Sequence, residues 1–239
     1  YEDEHILLVD KRPGLVVHPD ENERVNTLLT HIQAYLYQKK EWSPYWENSF
    51  APALCNRIDR NTGGIVIAAK TAEGLRVMNQ KIKDRELEKR YLCVIHGTMP
   101  QREGKLEGYL WKDEVKKQVY VRSKPVPGAK TAVTLYRTLA VRNSLSLVEC
   151  ELITGRTHQI RAQFSAAGHP LLGDGKYGSE RDNRRYGRHG QALYSYRLSF
   201  HFTTGAGPLE PLNGRSWQVE EVDFVQEYFP GFSLPRTEG

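Results

Sequence analysis

The feature that most constrains the fold is a five-residue apolar run at 65–69, which directly follows a turn cluster, Asn-Thr-Gly-Gly, at 61–64. A short apolar run bounded by turn residues is typical of a strand buried on both faces. Asp59 precedes the turn and lies between Arg57 and Arg60. A carboxylate on a loop anchored to a buried strand is well placed for catalysis, and the arginines favour its ionised form. From this stretch alone, a surface Arg–Asp pair before an ordinary strand remains the commoner explanation.

The composition is that of a soluble globular protein with an excess of positive charge. Of the 239 residues, 39% are hydrophobic and 26% are charged, and the formal net charge of +5 favours a polyanionic partner. No apolar run approaches the roughly 20 residues that span a bilayer, and no signal-peptide pattern is present. We therefore expect a cytoplasmic protein with no membrane partner. Because the chain begins with Tyr1 rather than Met, we also expect a fragment or a processed start.

Neither the cysteines nor the histidines are spaced as metal ligands. Cys55, Cys93 and Cys150 lie far apart, and there is no C-x-x-C pair. Separated cysteines in odd number are typical of reduced thiols in a cytosolic protein. The histidines show no H-E-x-x-H or similar spacing. The sequence therefore predicts no metal site.

The spacing of apolar residues predicts many strands and a few helices. Helical spacing predicts helices over 26–37 and 72–84, and residues 1–17 are expected to form a pair of strands around a Pro-Gly turn. The charged run at 81–90 is typical of a solvated surface. Strands and helices do not alternate regularly, and there is no second hydrophobic core. We therefore expect an α+β fold with one domain over 1–239, built on a mixed, largely antiparallel sheet flanked by helices and loops.

A second informative stretch begins at Thr154. Either Thr154 or Thr157 is expected to cap a helix that ends at Gly168. On such a helix His158 and Arg161 lie one turn apart and share a face. The predicted buried stripe of this helix comprises Ile160, Phe164 and Ala167.

An arginine-rich segment occupies 180–190 and includes Arg184 and Arg185. It lacks aliphatic side chains, which is typical of a mobile surface loop. Two interpretations stay open for it, a solvated loop and a loop that contacts phosphates.

Taken together, these stretches resemble the RluA-type pseudouridine synthases. Residues 56–64 match the family signature H-R-L-D-x-x-T-S-G, and residues 89–91 match its K-x-Y strand motif. Residues 154–178 match its T-G-R-T-H-Q-I-R helix and its G-x-P-L-x-G-D-x-x-Y-G loop. The motifs occur in the family's order and cover nearly the whole chain. This resemblance implies a pseudouridine-synthase-type catalytic domain.

The resemblance also implies roles for individual residues. Asp59 would be the catalytic aspartate, Tyr91 would stack on the target base, and Arg161 would pair with Asp59. Arg57 would help to displace the target nucleotide and fill the stack that it leaves. The residues expected to contact RNA are Arg57, Arg60, Arg156, His158, Lys89, Arg184 and Arg185.

The implied activity is the isomerisation of specific uridines to pseudouridine in RNA. Large-subunit (23S) ribosomal RNA is the expected substrate, and tRNA is the alternative. The reaction needs neither redox change nor phosphate energy, so we expect no cofactor, and we expect a monomer. Asp59 would attack C1′ or remove a ribose proton, and the sequence does not decide between these.

Two other classes of function remain for comparison. One is a catalytically silent RNA-binding protein, which the presence of Asp59, Tyr91 and Arg161 together argues against. The other is a glycoside hydrolase, which ordinarily needs two carboxylates. Asp174 is the candidate for the second carboxylate, although its Gly-rich loop has a ready structural interpretation.

Three departures from the family pattern concern the surroundings of the site. Asn56 stands where the family usually has His, and Gly63 stands where it has Ser. Residues 11–14, Lys-Arg-Pro-Gly, stand where N-K-P-x-G is usual. These changes bear on rate or substrate preference more than on the type of reaction. The S4-type RNA-binding module that often precedes such domains is not seen in this chain.

Overall fold

The computed structural model describes residues 1–235, which form two compact units. Unit 1 comprises Tyr1–Leu87 and Leu198–Val219, and unit 2 comprises Glu88–Arg197 and the described residues from Glu220 onward. Compactness does not measure independent folding, so the single domain over 1–239 stays a prediction. Within residues 1–235, no helix combines the length and the apolar character needed to cross a membrane.

The elements mix strands and helices along the chain, as the α+β class requires. The strands are β1 (Ile6–Lys11), β2 (Ala53–Leu54), β3 (Gly63–Ala69), β4 (Leu87–His96), β5 (Glu103–Asp113), β6 (Gln118–Arg122), β7 (Lys130–Arg142), β8 (Leu145–Leu152), β9 (Leu193–Phe200) and β10 (Ser216–Gln218). The helices are α1 (Leu28–Gln38), α2 (Ala72–Lys83), α3 (Gln159–Ala166), α4 (Glu180–Arg185), α5 (Asp223–Tyr228) and a 3₁₀ helix (Gly207–Leu212).

Unit 1 is built around β3, in which every residue is buried. This confirms the strand that the apolar run predicts. The predicted strand pair within residues 1–17 is wrong, because β1 pairs antiparallel with β3, from Ile6 opposite Ala69 to Lys11 opposite Gly64. Val16 makes only an isolated bridge to Thr27. A fully buried strand offers β1 more apolar contact than the short segment after the Pro-Gly turn.

Both helices predicted for unit 1 are present within two residues of their expected ends. Thr27 and Thr71 cap α1 and α2 by accepting hydrogen bonds from the backbone N–H of Thr30 and Gly74, respectively. The buried stripe of α1 comprises Leu28, Ile32 and Leu36, as helical spacing requires.

The charged run at 81–90 is a solvated surface only in part, because residues 83–85 are exposed but Lys81 and Glu86 are buried. Lys81 and Glu86 are 2% and 5% exposed, and Lys81 Nζ lies 2.6 Å from Glu86 Oε2. Lys81 Nζ also donates to the carbonyl oxygen of Thr204 (2.6 Å) and lies over the ring of Phe202. The Lys81 ammonium lowers the pKa of Glu86 to about 2. The composition of this run predicts exposure to water, but the charges of Lys81 and Glu86 are buried and neutralise each other inside unit 1.

Unit 2 is built on antiparallel strands in the order β9-β4-β8-β7-β5-β6. The β4–β8 register runs from Arg90 opposite Glu151 to His96 opposite Leu145. The long β7 strand has a register shift between Thr138 and Ala140, which is the sign of a bulge. The antiparallel sheet and its flanking helices confirm the predicted α+β class.

The buried pair of unit 1 gives a prediction about stability. Lys81→Met leaves the Glu86 carboxylate buried without its cation, so we expect the melting temperature to fall strongly. Replacing both partners, as Lys81→Met/Glu86→Leu, removes both buried charges and should restore much of that loss. Thermal unfolding followed by circular dichroism measures both changes. The control is Lys83→Met on the same helix, where the side chain is exposed. A double variant less stable than the single one would contradict this account.

Candidate functional site

The carboxylate loop, residues 55–62, is fastened at both ends to unit 1. The backbone N–H of Cys55 donates to the carbonyl oxygen of Ile67 (2.8 Å), and Asn56 Oδ1 accepts from the N–H of Ile67 (2.7 Å). At the other end, the N–H of Thr62 donates to the carbonyl oxygen of Asp59 (3.0 Å) and closes a turn into β3. Asn56, one of the departures from the family pattern, therefore ties the loop to the buried strand.

A buried lysine that sequence reasoning left aside lies beneath this loop. Lys11 is 1% exposed, and its Nζ donates to the carbonyl oxygens of Arg12 (3.1 Å), Leu15 (2.9 Å) and Arg60 (2.9 Å). Burial lowers the pKa of Lys11 to about 8, and the negative charge of Asp59 opposes that shift. The ammonium group thus joins two segments of backbone close to the candidate catalytic carboxylate. The sequence signals were its position between an apolar strand and a Pro-Gly turn and its place in the Lys-Arg-Pro-Gly departure from the family pattern.

The two arginines that flank Asp59 differ in their surroundings. Arg57 is exposed, and its charge lowers the pKa of the partly buried His18 in addition to the effect of burial. Arg60 is also exposed, but its Nε donates to the carbonyl oxygen of Gly14 (3.1 Å). Arg60 therefore stabilises the turn after β1, and its expected contact with RNA stays a prediction, as does that of Arg57.

In unit 2, Tyr91 lies on β4 and is 7% exposed. It faces Cys150 of β8 in the register, so alternation places Lys89 on the same face of the strand and Arg90 on the other. A Cβ atom at Gly155 would lie 3.6 Å from Lys89 Nζ, which puts this ammonium group beside the loop before α3. Burial lowers the pKa of Lys89. The structure thus brings Lys89 against the T-G-R-T-H motif.

A charge network covers the face of the sheet opposite Tyr91. Glu149 is 3% exposed and accepts hydrogen bonds from Arg90 (2.9 Å), Arg137 (3.2 Å) and Arg197 (3.0 Å), and also from the Tyr196 hydroxyl. Burial by itself would raise the pKa of Glu149, but the Tyr196 hydrogen bond and the three guanidinium groups hold it below its usual range. These contacts join β4, β7, β8 and β9 and hold the strand that carries Tyr91.

Arg161 lies on α3 and forms a buried, two-point ion pair with Asp174. Arg161 Nε donates to Asp174 Oδ2 (2.7 Å) and Nη2 donates to Oδ1 (3.0 Å). Asp174 is fully buried. Its Oδ1 also accepts from the backbone N–H of Lys176 (2.9 Å) and Tyr177 (3.1 Å). Burial raises the pKa of Asp174, but the Arg161 charge and these hydrogen bonds lower it by more. The Arg161–Asp59 pair stays a prediction.

The helix that carries Arg161 begins differently from the prediction. Its N-cap is His158, with a left-handed backbone (φ 53°) and no capping side-chain hydrogen bond, so the expectation of a Thr154 or Thr157 cap is wrong. Thr154 Oγ1 instead donates to Gln159 Oε1 (2.8 Å) and accepts from the Val133 N–H (2.9 Å). That competing contact with β7 removes Thr154 from the cap.

The other end of α3 follows the prediction only in part. Gly168 ends the helix with φ +85°, as expected of a C-terminal glycine. Ile160 and Phe164 are buried, but Ala167 is exposed, because it follows the last turn of a helix that ends at Ala166. Polar residues are buried on α3 as well, and Arg161 and Gln163 are among them.

His158 and Arg156 are both held by neighbouring groups. The hydroxyl of Tyr177 accepts from the Val119 N–H (2.9 Å) and lies 2.8 Å from His158 Nδ1. Since that hydroxyl can donate its own proton to Nδ1, this arrangement favours the His158 tautomer with its proton on Nε2. Arg156 Nε donates to the carbonyl oxygen of Thr131 (3.1 Å). Their contacts with RNA stay predictions.

The arginine-rich segment is not a loop along its whole length. Its first part forms α4, which Ser179 caps by accepting from the Asp182 N–H (3.3 Å). A third arginine, Arg181, lies on α4 with Arg184 and Arg185, and all three are exposed. Arg188 differs, because its guanidinium group lies over Phe224 and donates to Asp223 and Glu227 on α5. Within this segment, the arginines that expose their charge to solvent are the three on α4.

Comparisons with known proteins agree with the motifs. The profile of the RNA pseudouridylate synthase family matches residues 5–166. A ribosomal large subunit pseudouridine synthase D of Zymomonas mobilis is 34% identical over 95% of this chain and 68% of its own length. An uncharacterized RNA pseudouridine synthase of Mycoplasma genitalium is 36% identical over 84% of this chain and 62% of its own length. This chain therefore spans about two thirds of these relatives.

Two solved human structures share the fold. Human RNA pseudouridylate synthase domain containing 4 superposes with a TM-score of 0.70 at 21% identity, covering 95% of this chain and 89% of that one. Human RNA pseudouridylate synthase domain containing 1 gives a TM-score of 0.67 at 19% identity, covering 99% and 95% of the two chains. At these identities the likeness concerns the fold alone.

The Arg161–Asp174 pair gives a prediction about stability and pH. Asp174→Asn leaves the Arg161 charge buried without its carboxylate, so unfolding free energy should fall by about 3–5 kcal/mol near neutral pH. Because the folded pKa of Asp174 lies below its ordinary 3.8, this advantage is fully present above that value and is lost as pH falls below it. Urea unfolding at several pH values measures both effects.

The matched control for this measurement is Asp113→Asn. Asp113 accepts the same kind of backbone hydrogen bonds, from Val115 (3.0 Å) and Lys116 (2.9 Å), but in an exposed hairpin turn. We expect a much smaller change there. Equal losses in the two variants would mean that the buried ion pair adds nothing beyond the turn.

Proposed function

The chain belongs to the RNA pseudouridylate synthase family, and we infer that it isomerises uridine to pseudouridine in RNA. The observation that carries this inference is the family match over residues 5–166, which includes Asp59, Tyr91 and Arg161. The reaction breaks the N1–C1′ glycosidic bond of a uridine, turns the uracil and joins C5 to C1′, and C5 loses its proton while N1 takes one up. The product contains the same atoms as the substrate.

We assign the central step to Asp59. A carboxylate can form a bond to C1′ or remove a ribose proton, and either role places it at the sugar of the target nucleotide. It also stabilises the positive charge that develops at C1′ when the glycosidic bond breaks. The anchored loop suits this task, because the Asn56 hydrogen bond and the turn at Thr62 hold the backbone on both sides of Asp59.

The target base must leave its stack to reach a carboxylate, which costs a few kcal/mol. Tyr91 would recover roughly 1–3 kcal/mol of that by stacking on the flipped base. Arg57 is exposed and would fill the space that the base leaves. Arg161 would orient Asp59 by a charge-assisted hydrogen bond.

The proposed substrate is large-subunit ribosomal RNA, and we propose that the protein acts on it as a monomer. The name of the Zymomonas relative, a ribosomal large subunit pseudouridine synthase, supports the ribosomal substrate. A tRNA substrate is the alternative within the same reaction class. The net charge of +5 and the three exposed arginines of α4 suit either polyanion.

The surroundings of Asp174 argue against a glycoside hydrolase. A general acid needs a raised pKa and contact with its substrate. Asp174 is fully buried, and its ion pair with Arg161 lowers its pKa. It is therefore unsuited to be the second carboxylate of such an enzyme.

The catalytic role of Asp59 is tested by Asp59→Asn. We expect this variant to release no tritium from RNA labelled at C5 of uridine, because an amide can neither attack C1′ nor accept a proton. Its affinity for RNA should stay close to that of the unchanged protein. Asp84→Asn makes the same chemical change at an exposed position of unit 1 and should release tritium normally. An active Asp59→Asn protein would refute the mechanism.

The same assay, run separately on ribosomal RNA and bulk tRNA, identifies the substrate class. Tritium release requires that C5 become bonded to the sugar, so binding alone cannot produce it. Release from tRNA only would keep the reaction and overturn the ribosomal substrate. RNA binding without release from either RNA would favour the silent RNA-binding protein.

The α4 arginines give a prediction about salt dependence. Replacing Arg181, Arg184 and Arg185 by Gln should weaken RNA binding and flatten the slope of log K against log salt by up to about 2, since each phosphate contact contributes about 0.7. The control replaces three exposed lysines, Lys40, Lys83 and Lys116, by Gln. Filter binding at several salt concentrations measures both slopes. Equal slopes in the two variants would mean that the α4 arginines act only as general surface charge and do not contact RNA phosphates.

A further inference from the structure

Asn183 is the one buried residue of α4. It is 6% exposed, whereas its neighbours on the helix, Asp182 and Arg184, are exposed. Asn183 Oδ1 accepts a hydrogen bond from the backbone N–H of Gly173 (2.8 Å), and Nδ2 donates to the carbonyl oxygen of Asp174 (3.1 Å). The carboxamide therefore holds the backbone at two consecutive residues.

The backbone at Gly173 has little room to adopt another conformation. Gly173 has φ +79°, and a Cβ atom there would lie 2.2 Å from the carbonyl oxygen of Gly190, which is far inside contact distance. Its N–H is buried with the Asn183 side chain as its acceptor. If that acceptor is removed, the N–H is left in the protein interior without this bond, which favours a shift of the loop toward water.

A shift of this loop would be transmitted directly to Arg161. Asp174 follows Gly173, and its two carboxylate oxygens are the acceptors for Arg161 Nε and Nη2. The Arg161 guanidinium also lies over the Tyr177 ring (5.1 Å to its centre), and the Tyr177 N–H donates to Asp174 Oδ1. The orientation of Arg161 thus depends on where the Asp174 carboxylate stands.

We propose that Asn183 is a positioning residue for the isomerisation, which aims Arg161 by holding the Gly173–Asp174 backbone. This rests on the proposed function, in which Arg161 acts at the site of reaction. Asn183 acts on the chemical step and not on the affinity for RNA, because its side chain faces the protein while the arginines of α4 face solvent. One short helix therefore carries charges for RNA on its outer side and a support for Arg161 on its inner side.

The test compares Asn183→Ala with Asp182→Asn, an exposed neighbour on the same helix. Single-turnover tritium release with enzyme in excess measures the chemical step, and filter binding measures RNA affinity. We expect Asn183→Ala to slow release by roughly 10- to 100-fold, the cost of a small misplacement of a reacting group, with little change in affinity. Asp182→Asn should not slow release. Lost affinity with an unchanged rate, or equal rates in the two variants, would overturn the proposal.

Asn183→Asp is a second variant whose rate should depend on pH in a way that a purely structural role would not produce. It also tests the proposal if the alanine variant fails to fold. An ionised carboxylate still accepts from Gly173 but cannot donate to Asp174, whereas a protonated carboxyl can do both. Burial and the nearby Asp174 charge favour the protonated form as pH falls, and the His96 ring, whose Nε2 lies 3.3 Å from Asn183 Oδ1, opposes this when it is charged. The rate of Asn183→Asp relative to the unchanged protein should therefore be reduced at neutral pH and rise as the pH falls toward the ordinary range of an aspartate, about pH 4. A flat ratio would overturn the proposal.

Failure of this inference is distinguishable from failure of the proposed function. If the unchanged protein releases no tritium, the function fails and the role of Asn183 fails with it. If the unchanged protein releases tritium and the Asn183 variants release it equally fast, the function stands and only the positioning role is lost.

Discussion

The buried ion pair between Arg161 and Asp174 is the interaction on which the candidate site in unit 2 depends. Two charges withdrawn from water are tolerated only when each is neutralised and hydrogen-bonded. Asp174 meets that condition with two bonds from Arg161 and two from the backbone of its own loop. The loop is also closely packed, since a Cβ atom at Gly178 would lie 2.7 Å from the carbonyl oxygen of Asp174. The ion pair and the loop therefore require each other.

Unit 1 also holds a loop with polar contacts, but these are hydrogen bonds made by a lysine and an asparagine and not an ion pair. Its carboxylate loop is held by polar side chains, with Lys11 of β1 bonded to the carbonyl oxygen of Arg60 and Asn56 of the loop itself bonded to the N–H of Ile67. Buried polar groups of this kind are costly unless satisfied, so they specify one arrangement of the loop. In both units, the backbone that carries a residue of the family motifs is held by a buried polar side chain, Lys11 in unit 1 and Asn183 in unit 2.

Sequence patterns predicted the elements whose stability is local or simply apolar. The buried strand β3, the helices α1 and α2 and the helix stop at Gly168 all follow from period, burial and glycine conformation. The patterns failed where a distant partner changed the outcome. Lys81 is buried with Glu86 as its counter-charge and with the carbonyl oxygen of the distant Thr204 as an acceptor, and Thr154 bonds to β7 and to Gln159 and does not cap α3.

The sequence by itself determined the fold class, the family and the candidate site residues that its motifs identify, which are Asp59, Tyr91 and Arg161. It did so because motif spacing and apolar period are properties of short stretches of chain. Only the tertiary structure decided which groups hold those residues. Lys11 bonds to Arg60, which is 49 positions away, and the Asn183–Gly173 and Arg161–Asp174 contacts join residues 10 and 13 positions apart that lie on different segments of the fold. Hydrogen-bond geometry and desolvation act across such distances only after the chain has folded.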